Sequence, residues 1–554
     1  MTHVRDIYRR KIHSNYDYIV IGSGSAGSIM AARLAEDANH RVLLLEAGGM
    51  DNSPFLRMPA AFGVPLQNDK FNWYLNSEPE PELNGRRIYM ARGRVLGGSS
   101  SINGMNWIRG NPWDYDNWAK LGNFGWSYAE VLPYFKRSES LENGGNEYRG
   151  SSGPMKVEFS PATGLLYQAF LAAGQEAGLE RVADPNAYRQ EGVHSTQRNI
   201  HGGVRWSVSR AYIHSAPRRE NLHVVVRAFA TRIEFSGRRA VRIHATINGE
   251  AVAIGASGEI ILSAGALHSP HLLMHSGIGN ADELRGVGIP SVMHLPGVGR
   301  GLKDHVAAAV QYAETKDASL AKNLTTLGRA RLAIEWLLFK RGLGAGNFFE
   351  VGAFIRTRSE VKVPDVQFEF VPLLGEFSTG ELRLGKGFQY FFSLMRPTSS
   401  GRVWVDSADP RSLPKFSLNY LTTERDRSDA IAAVRAIRHI VSQPAWDKFR
   451  GAEVSPGPDI GSDAEILRFL RAHVGTNYHL SCSCRMGSDE NAVTDAAGRV
   501  HGLDNLRVVD ASIMPEIISG NPNAVVIMIA EKVADIVRGK PALPPEPVDY
   551  YRAA

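Results

Sequence analysis

The chain has 554 residues, too many for one hydrophobic core, so two or more packed domains are expected. Apolar residues make up 43% and charged residues 22%, which excludes a disordered or fibrous chain. A net charge of +6, interspersed over 63 basic and 57 acidic residues, reads as a solvated surface and argues against a nucleic-acid partner.

The first stretch, Met1 to Tyr16, is polar and basic and lacks the apolar centre of a signal peptide, which points to the cytoplasm. The apolar run Ala524 to Ala530 is far too short to span a bilayer, although it leaves peripheral membrane contact open.

Asp17 to Ile21 reads as a buried strand and runs straight into Gly22-Ser23-Gly24-Ser25-Ala26-Gly27. Ile29, Met30 and Leu34 then give a helical apolar face, and Arg41 to Leu45 reads as a second strand closed by Glu46 and Ala47. Gly22 permits the tight turn, Gly24 lets backbone approach a pyrophosphate, and Gly27 lets helix and strand pack closely. The helix N-terminus at Ser25 and Ala26 supplies free N–H groups for phosphate, and the Glu46 carboxylate suits ribose hydroxyls. The unit is a dinucleotide site that fits FAD or NAD.

Next comes Ala91-Arg92-Gly93-Arg94-Val95-Leu96-Gly97-Gly98-Ser99-Ser100-Ser101-Ile102-Asn103-Gly104, then Arg109 to Pro112 and Asp114 to Trp118. Such a glycine–serine run is a surface loop or a wrap of backbone N–H groups around a flat cofactor. Glu259 to Pro270, running on to Gly279, forms a further block, and Leu295 to Gly299 with Leu302, Asp304 and His305 another. Asn347-Phe348-Phe349-Glu350 looks like a buried segment with one carboxylate. A carboxylate beside aromatic rings suits a quaternary cation, with Phe348, Phe349, Tyr478 and Trp73 as candidate walls.

The middle of the chain is strand-rich. Val366-Gln367-Phe368-Glu369-Phe370 alternates, and Phe388 to Met395 and Arg402 to Val405 read as strands. Ile431, Val434, Ile437 and Val441 signal a helix over residues 425–441. Near the end, Asn477-Tyr478-His479-Leu480-Ser481-Cys482-Ser483-Cys484 carries a histidine suited to general-base work and the only two cysteines, expected to be buried thiols. No ligand cluster for a metal is expected. Asp510-Ala511 and Asn521-Pro522-Asn523 follow, and the tail, 541–554, is proline-rich.

The order and spacing of these blocks, from about Tyr16 to Gly539, resemble the glucose–methanol–choline oxidoreductases, and most of all their bacterial choline dehydrogenase-like branch. The resemblance implies FAD rather than NAD. The fold implied is α/β plus α+β. A discontinuous Rossmann-type FAD-binding domain (16–160, 204–315 and 470–540) adjoins an antiparallel-sheet substrate-binding domain (161–203 and 316–469). Gly22, Gly24, Ser25, Ala26, Gly27, Glu46, Ala47, Arg92, Gly97, Gly98, Asn103, Gly104, Asp510, Ala511, Asn521, Pro522 and Asn523 become the implied cofactor contacts.

By the same resemblance His479 is the base and Asn521 the second catalytic residue, with Asn523 close enough to exchange with it. Glu350 would face the cationic head of a choline-like alcohol beside Phe349 and Tyr478, or be structural, since members acting on uncharged alcohols can carry a Glu here too. Some family members carry the flavin on a histidine of the glycine–serine run. Ile102 offers no nucleophile here, so non-covalent FAD is expected. Arg396 falls near another active-site histidine of choline oxidases.

The implied reaction is oxidation of a primary alcohol to an aldehyde, with oxygen or a quinone- or dye-type acceptor receiving the electrons. Uncharged aliphatic, aromatic or polyether alcohols are the alternative substrates. An FAD-binding lyase of the hydroxynitrile type is the alternative of another class.

Overall fold

The computed structural model describes residues 12–217, 219–375 and 384–553. Strand β1 (Asn15–Ile21) is followed by helix α1 (Ser25–Leu34) and strand β2 (Val42–Glu46). β1 ends in Ile19-Val20-Ile21 with no polar alternation because both its edges and both its faces are covered. It pairs in parallel with β2 on one side (Ile19 to Leu43) and with Glu250–Leu262 on the other (Ile19 to Ile260).

Leu222–Val226 extends this sheet beyond β2, and Leu506–Val508 pairs in parallel with the end of Glu250–Leu262. The antiparallel strands Ala228–Ser236 and Arg239–Ile247 complete seven strands. The last helix, Asn523–Val537, packs along α1, so the sheet's central layer joins elements from both ends of the chain.

A second seven-stranded sheet is antiparallel throughout. Its order is Arg450–Ser455, Val306–Glu314, Gly387–Leu394, Val366–Val371, Val351–Ile355 and Gly192–Ser195, with Gly475–Thr476 paired to the start of Val306–Glu314. Period-two alternation divides the strand Val366–Val371. Phe368 and Phe370 pack into the core under the helices, while Gln367 and Glu369 take the opposite face. On the core side Phe388 stacks on Trp446 with centroids 4.2 Å apart, and the helix Glu424–Val441 lays Ala430, Ala433, Val434 and Ile437 into the same cluster.

Two boundaries expected from sequence shift. The strand Val306–Glu314, expected within the cofactor-binding part (204–315), belongs to the antiparallel sheet. Gly475–Thr476, expected within 470–540, joins it as well. Val306–Glu314 is central in that sheet and buries Val306, Ala308, Val310 and Tyr312 in its core, so the chain changes sheets just before Val306. The tail is strapped down: the Tyr148 hydroxyl donates to Asp549 O at 2.7 Å, and Tyr550 donates to Asp116 at 2.6 Å.

Candidate active site

A cavity of about 910 Å³ lies between the two sheets. Its first wall is the carboxyl end of the parallel strands, where an open α/β sheet binds ligands. Ile21, Leu45, Glu46, Ala47 and Ser263 line it there. Gly22, at φ +92°, turns the chain back sharply. A Cβ on Gly27 would collide with the Gly22 carbonyl, so α1 can start tight against the turn only with glycine at that position.

Gly24 is the N-cap of α1, and no side chain caps this end of the helix. The first-turn N–H groups of Ser25 and Ala26 therefore stand at the cavity wall, ready for an anion. Glu46 is buried and takes N–H groups of Ser23 (3.1 Å) and Gly48 (2.7 Å). Burial pushes its carboxyl above the usual range, against the pull of these hydrogen bonds.

Arg92, Gly98, Asn103, Gly104, Asp510, Ala511, Asn521, Pro522 and Asn523 also line the cavity; Gly27 and Gly97 do not. Gly97 instead donates its N–H to Ser23 O at 3.0 Å, tying the glycine–serine run to the first turn. Asn523 accepts the Ser25 hydroxyl at 2.6 Å. The Arg92 guanidinium holds the Tyr478 carbonyl, while its Nε is buried without a partner. An uncapped helix start, a ribose-suited carboxylate and an orphaned buried donor fit a dinucleotide-sized anionic cofactor.

At the other end stands His479, buried and aligned by two neighbours. Its backbone N–H donates to Asp304 at 2.7 Å, and Asp304 also accepts the hydroxyls of Tyr420 and Thr476. Tyr478 is held at φ +63°, a sparsely populated conformation, with its N–H on Thr476 at 2.6 Å and its carbonyl on Arg92.

The ring tautomers follow from their partners. His305 Nε2 lies 2.9 Å from Ile518 O, and a carbonyl only accepts, so Nε2 carries the proton. Burial pushes His305 down to about 3, so its ring is neutral and Nδ1 is an acceptor. His479 Nδ1, 2.8 Å away, must then donate to it. That leaves His479 Nε2 unprotonated, with its lone pair accepting from Asn521 Nδ2 at 3.2 Å. Burial, with His305 and Arg92 adding to it, holds His479 well below its ordinary value and keeps it neutral.

Gln367 donates to the Asn521 amide oxygen at 3.0 Å, which aims the Asn521 NH2 group at His479 and at Glu369 (3.5 Å). Glu369 is buried, lines the cavity, and also receives the amides of Asn106 and Asn477. Burial raises its carboxyl above the usual range despite these three donors.

Two expectations are corrected. Glu350 does not line the cavity. Its carboxylate accepts the Ala162 N–H at 2.9 Å and lies 3.9 Å from Arg198, so it braces the loop after Phe159. Phe348 is likewise outside, with its carbonyl on the Tyr167 hydroxyl, whereas Phe349, Tyr478 and Trp73 do form walls. Arg396 sits over the Trp113 ring and donates to Asp114 (2.9 Å) and Ser519 (2.8 Å), fixing the loop that ends at Asn521. Cys482 and Cys484 are buried free thiols, and burial pushes Cys482 up to about 12.

Sequence reasoning missed Glu369 and His305 as site residues. The signal for Glu369 was its place as a charged member of an alternating strand. His305 stood in a noticed block, but its partner lies 174 positions away.

The GMC oxidoreductase family models match residues 16–307 and 397–530. Over 546 residues the chain is 46% identical to an oxygen-dependent choline dehydrogenase of Chromohalobacter salexigens, covering 97% of both chains. It is equally identical to that of Xanthomonas euvesicatoria, covering 97% of this chain and 98% of the relative. Among solved structures, pyridoxine 4-oxidase from Mesorbium loti superposes with a TM-score of 0.87 at 31% identity, over 95% of this chain and all of that one.

Proposed function

The chain belongs to the GMC oxidoreductase family and is an FAD-dependent alcohol oxidoreductase, and from that we propose that it oxidises a primary alcohol to an aldehyde with His479 as the general base. Bound FAD, held by the glycine turn, Glu46 and the 92–104 segment, supplies the hydride acceptor. The observation that carries the reading is the unprotonated Nε2 of His479, facing the cavity beside the Asn521 amide.

A substrate hydroxyl between these groups gives its proton to Nε2 and receives a hydrogen bond from Asn521 Nδ2. Asn521 thereby stabilises the oxygen as it gains negative charge. The carbon gives up a hydride, and the product is the aldehyde. His305 takes no proton; it holds His479 in the tautomer that can.

For the substrate we favour a primary alcohol with a cationic nitrogen, as in choline, with Glu369 as the cation's partner. It is a buried carboxylate in the cavity wall whose hydrogen-bond partners are all neutral amides, so a cation gains a partner there. The choline dehydrogenase relatives support this choice. A second reading, an uncharged lipophilic alcohol, draws support from the apolar wall of Phe62, Leu66, Phe349 and Phe391.

Anaerobic mixing of the holoprotein with choline, hexanol, benzyl alcohol and a polyethylene glycol decides between them. Bleaching of the flavin band by choline alone supports the cationic class, and bleaching by neutral alcohols alone discards it. No bleaching by any of the four moves a lyase or an alcohol outside this panel to the front.

A further inference from the structure

Helix Thr326–Phe339 turns its apolar side away from the protein. Its one buried residue is Trp336, whose indole N–H donates to Gly203 O at 2.6 Å. Leu327, Ala330, Ile334, Leu337 and Leu338 recur at helical spacing on the opposite side, a single stripe about 100° wide. Leu327 is 85% exposed, Ile334 58%, Leu337 55% and Leu338 68%, with Phe339 at 59% beside them. Elsewhere among the described residues, large exposed apolar side chains are scattered, so this concentration marks an interaction face.

The rim of the stripe is basic. Lys322, Arg329, Arg331, Lys340 and Arg341 flank it, against two carboxylates, Glu335, 3.6 Å from Arg341, and Asp317, 3.9 Å from Lys322. Lys340 and Arg341 lie over the rings of Trp336 and Phe339, at 4.0 and 4.8 Å. No helix among the described residues is long and apolar enough to cross a membrane. An amphipathic helix with an outward apolar stripe and cationic flanks matches the interface of an anionic bilayer.

The same element adjoins the cavity. Leu320 and Leu324, in the turn leading into the helix, join the apolar cluster that also holds Phe62, Leu66, Phe349 and Phe391, all four of which are cavity wall. The neighbouring segment 54–66 packs against Leu343–Ala345 and exposes Phe55 and Val64. We propose that the Leu327–Phe339 face docks this enzyme on an anionic lipid surface, with the rim of its cavity beside the lipid.

The test is co-sedimentation of the FAD-loaded protein with vesicles of phosphatidylcholine, with and without phosphatidylglycerol. The native chain is expected to pellet with the anionic vesicles and much less with the neutral ones. Leu327→Glu with Leu338→Glu should lower the bound fraction roughly tenfold or more, because the stripe can no longer enter the interface. Flavin reduction by a water-soluble alcohol should be unchanged in that variant, which shows it folded. Arg331→Gln with Arg341→Gln should erase the preference for anionic lipid.

The proposal is overturned if the native protein stays in the supernatant with both vesicles, or if the double glutamate variant binds like the native chain. It is also overturned if light scattering finds a dimer that this variant splits and no vesicle binding accompanies it. The face would then join two copies of the chain.

Discussion

His305 and His479 face each other through their Nδ1 atoms, 2.8 Å apart, in a contact that works in only one proton arrangement. The Ile518 carbonyl fixes the first ring, and the first ring fixes the second. A backbone oxygen thus decides which nitrogen of the proposed base meets the substrate.

Replacing that base gives the first prediction. His479→Ala should slow anaerobic flavin reduction by roughly 10²- to 10⁴-fold, the usual worth of a general base, while FAD stays bound. Asn521→Ala should slow it as well. Asn523 lies against Ser25, so Asn523→Ala should weaken FAD retention more than it slows reduction. Near-native reduction by the His479 variant would remove His479 from the mechanism.

His305 is a positioning residue. His305→Ala frees His479 to adopt the other tautomer and should cost roughly tenfold or more in reduction rate. It also removes a neighbour that holds His479 low, so the acid limb of the rate profile should move to higher pH. His305→Asn keeps one acceptor and one donor and should restore part of the rate. A lower rate with an unmoved profile would assign His305 to packing alone.

The pH dependence has a definite sign. A base held well below its ordinary 6.5 stays neutral across the neutral range, so reduction should be flat there and fall only in acid. Stability follows the same groups. Burial pushes His194 and His268 down to about 4 and His305 to about 3, so below pH 6.5 the unfolded chain binds protons that the folded chain refuses. Folding stability should therefore be full above pH 6.5 and decline as pH falls from there to about 3, read as a falling Tm. A Tm that is flat or rises over that window would contradict this burial pattern.

Glu369→Gln removes the charge and keeps the shape. If a cation is the substrate, its apparent affinity should drop roughly tenfold or more while neutral alcohols are unaffected. Glu350→Gln should leave this discrimination intact, because Glu350 is committed to Ala162 and Arg198. Equal losses for charged and neutral alcohols in Glu369→Gln would make Glu369 a structural partner of Asn521.

Acid precipitation should release all of the flavin. The Ser100 and Ser101 hydroxyls donate to the Gly97 and Leu96 carbonyls (2.6 and 2.7 Å), and Ile102 has nothing to attach with. Flavin remaining in the washed pellet would overturn non-covalent binding.

The first βαβ unit was readable because its signal is local. Strand, turn, helix and acid follow one another within 32 residues, and each has its own steric or electrostatic requirement. The blocks that hold His479 and Asn521 stood out only through motif resemblance, and nothing in their spacing shows that the two side chains lie 3.2 Å apart. Glu350 was misread because a carboxylate among phenylalanines says nothing about which way it points. Here strand pairing of Val351–Ile355 leaves its carboxylate on the Ala162 N–H. In Val366–Val371, by contrast, alternation already separated Glu369 from Phe368 and Phe370. What it withheld was the identity of the opposite face, which depends on strands from residues 306 to 394.

The Asn523–Val537 helix and the Leu506–Val508 strand complete a pocket whose glycine turn was laid down some 500 residues earlier. On a ribosome adding ~5–20 residues each second, the nucleotide cradle must wait roughly half a minute or more for its closing pieces. Cofactor loading is therefore an event of the finished polypeptide. A nascent chain stalled before Leu506 should emerge without flavin however well its first strands have formed.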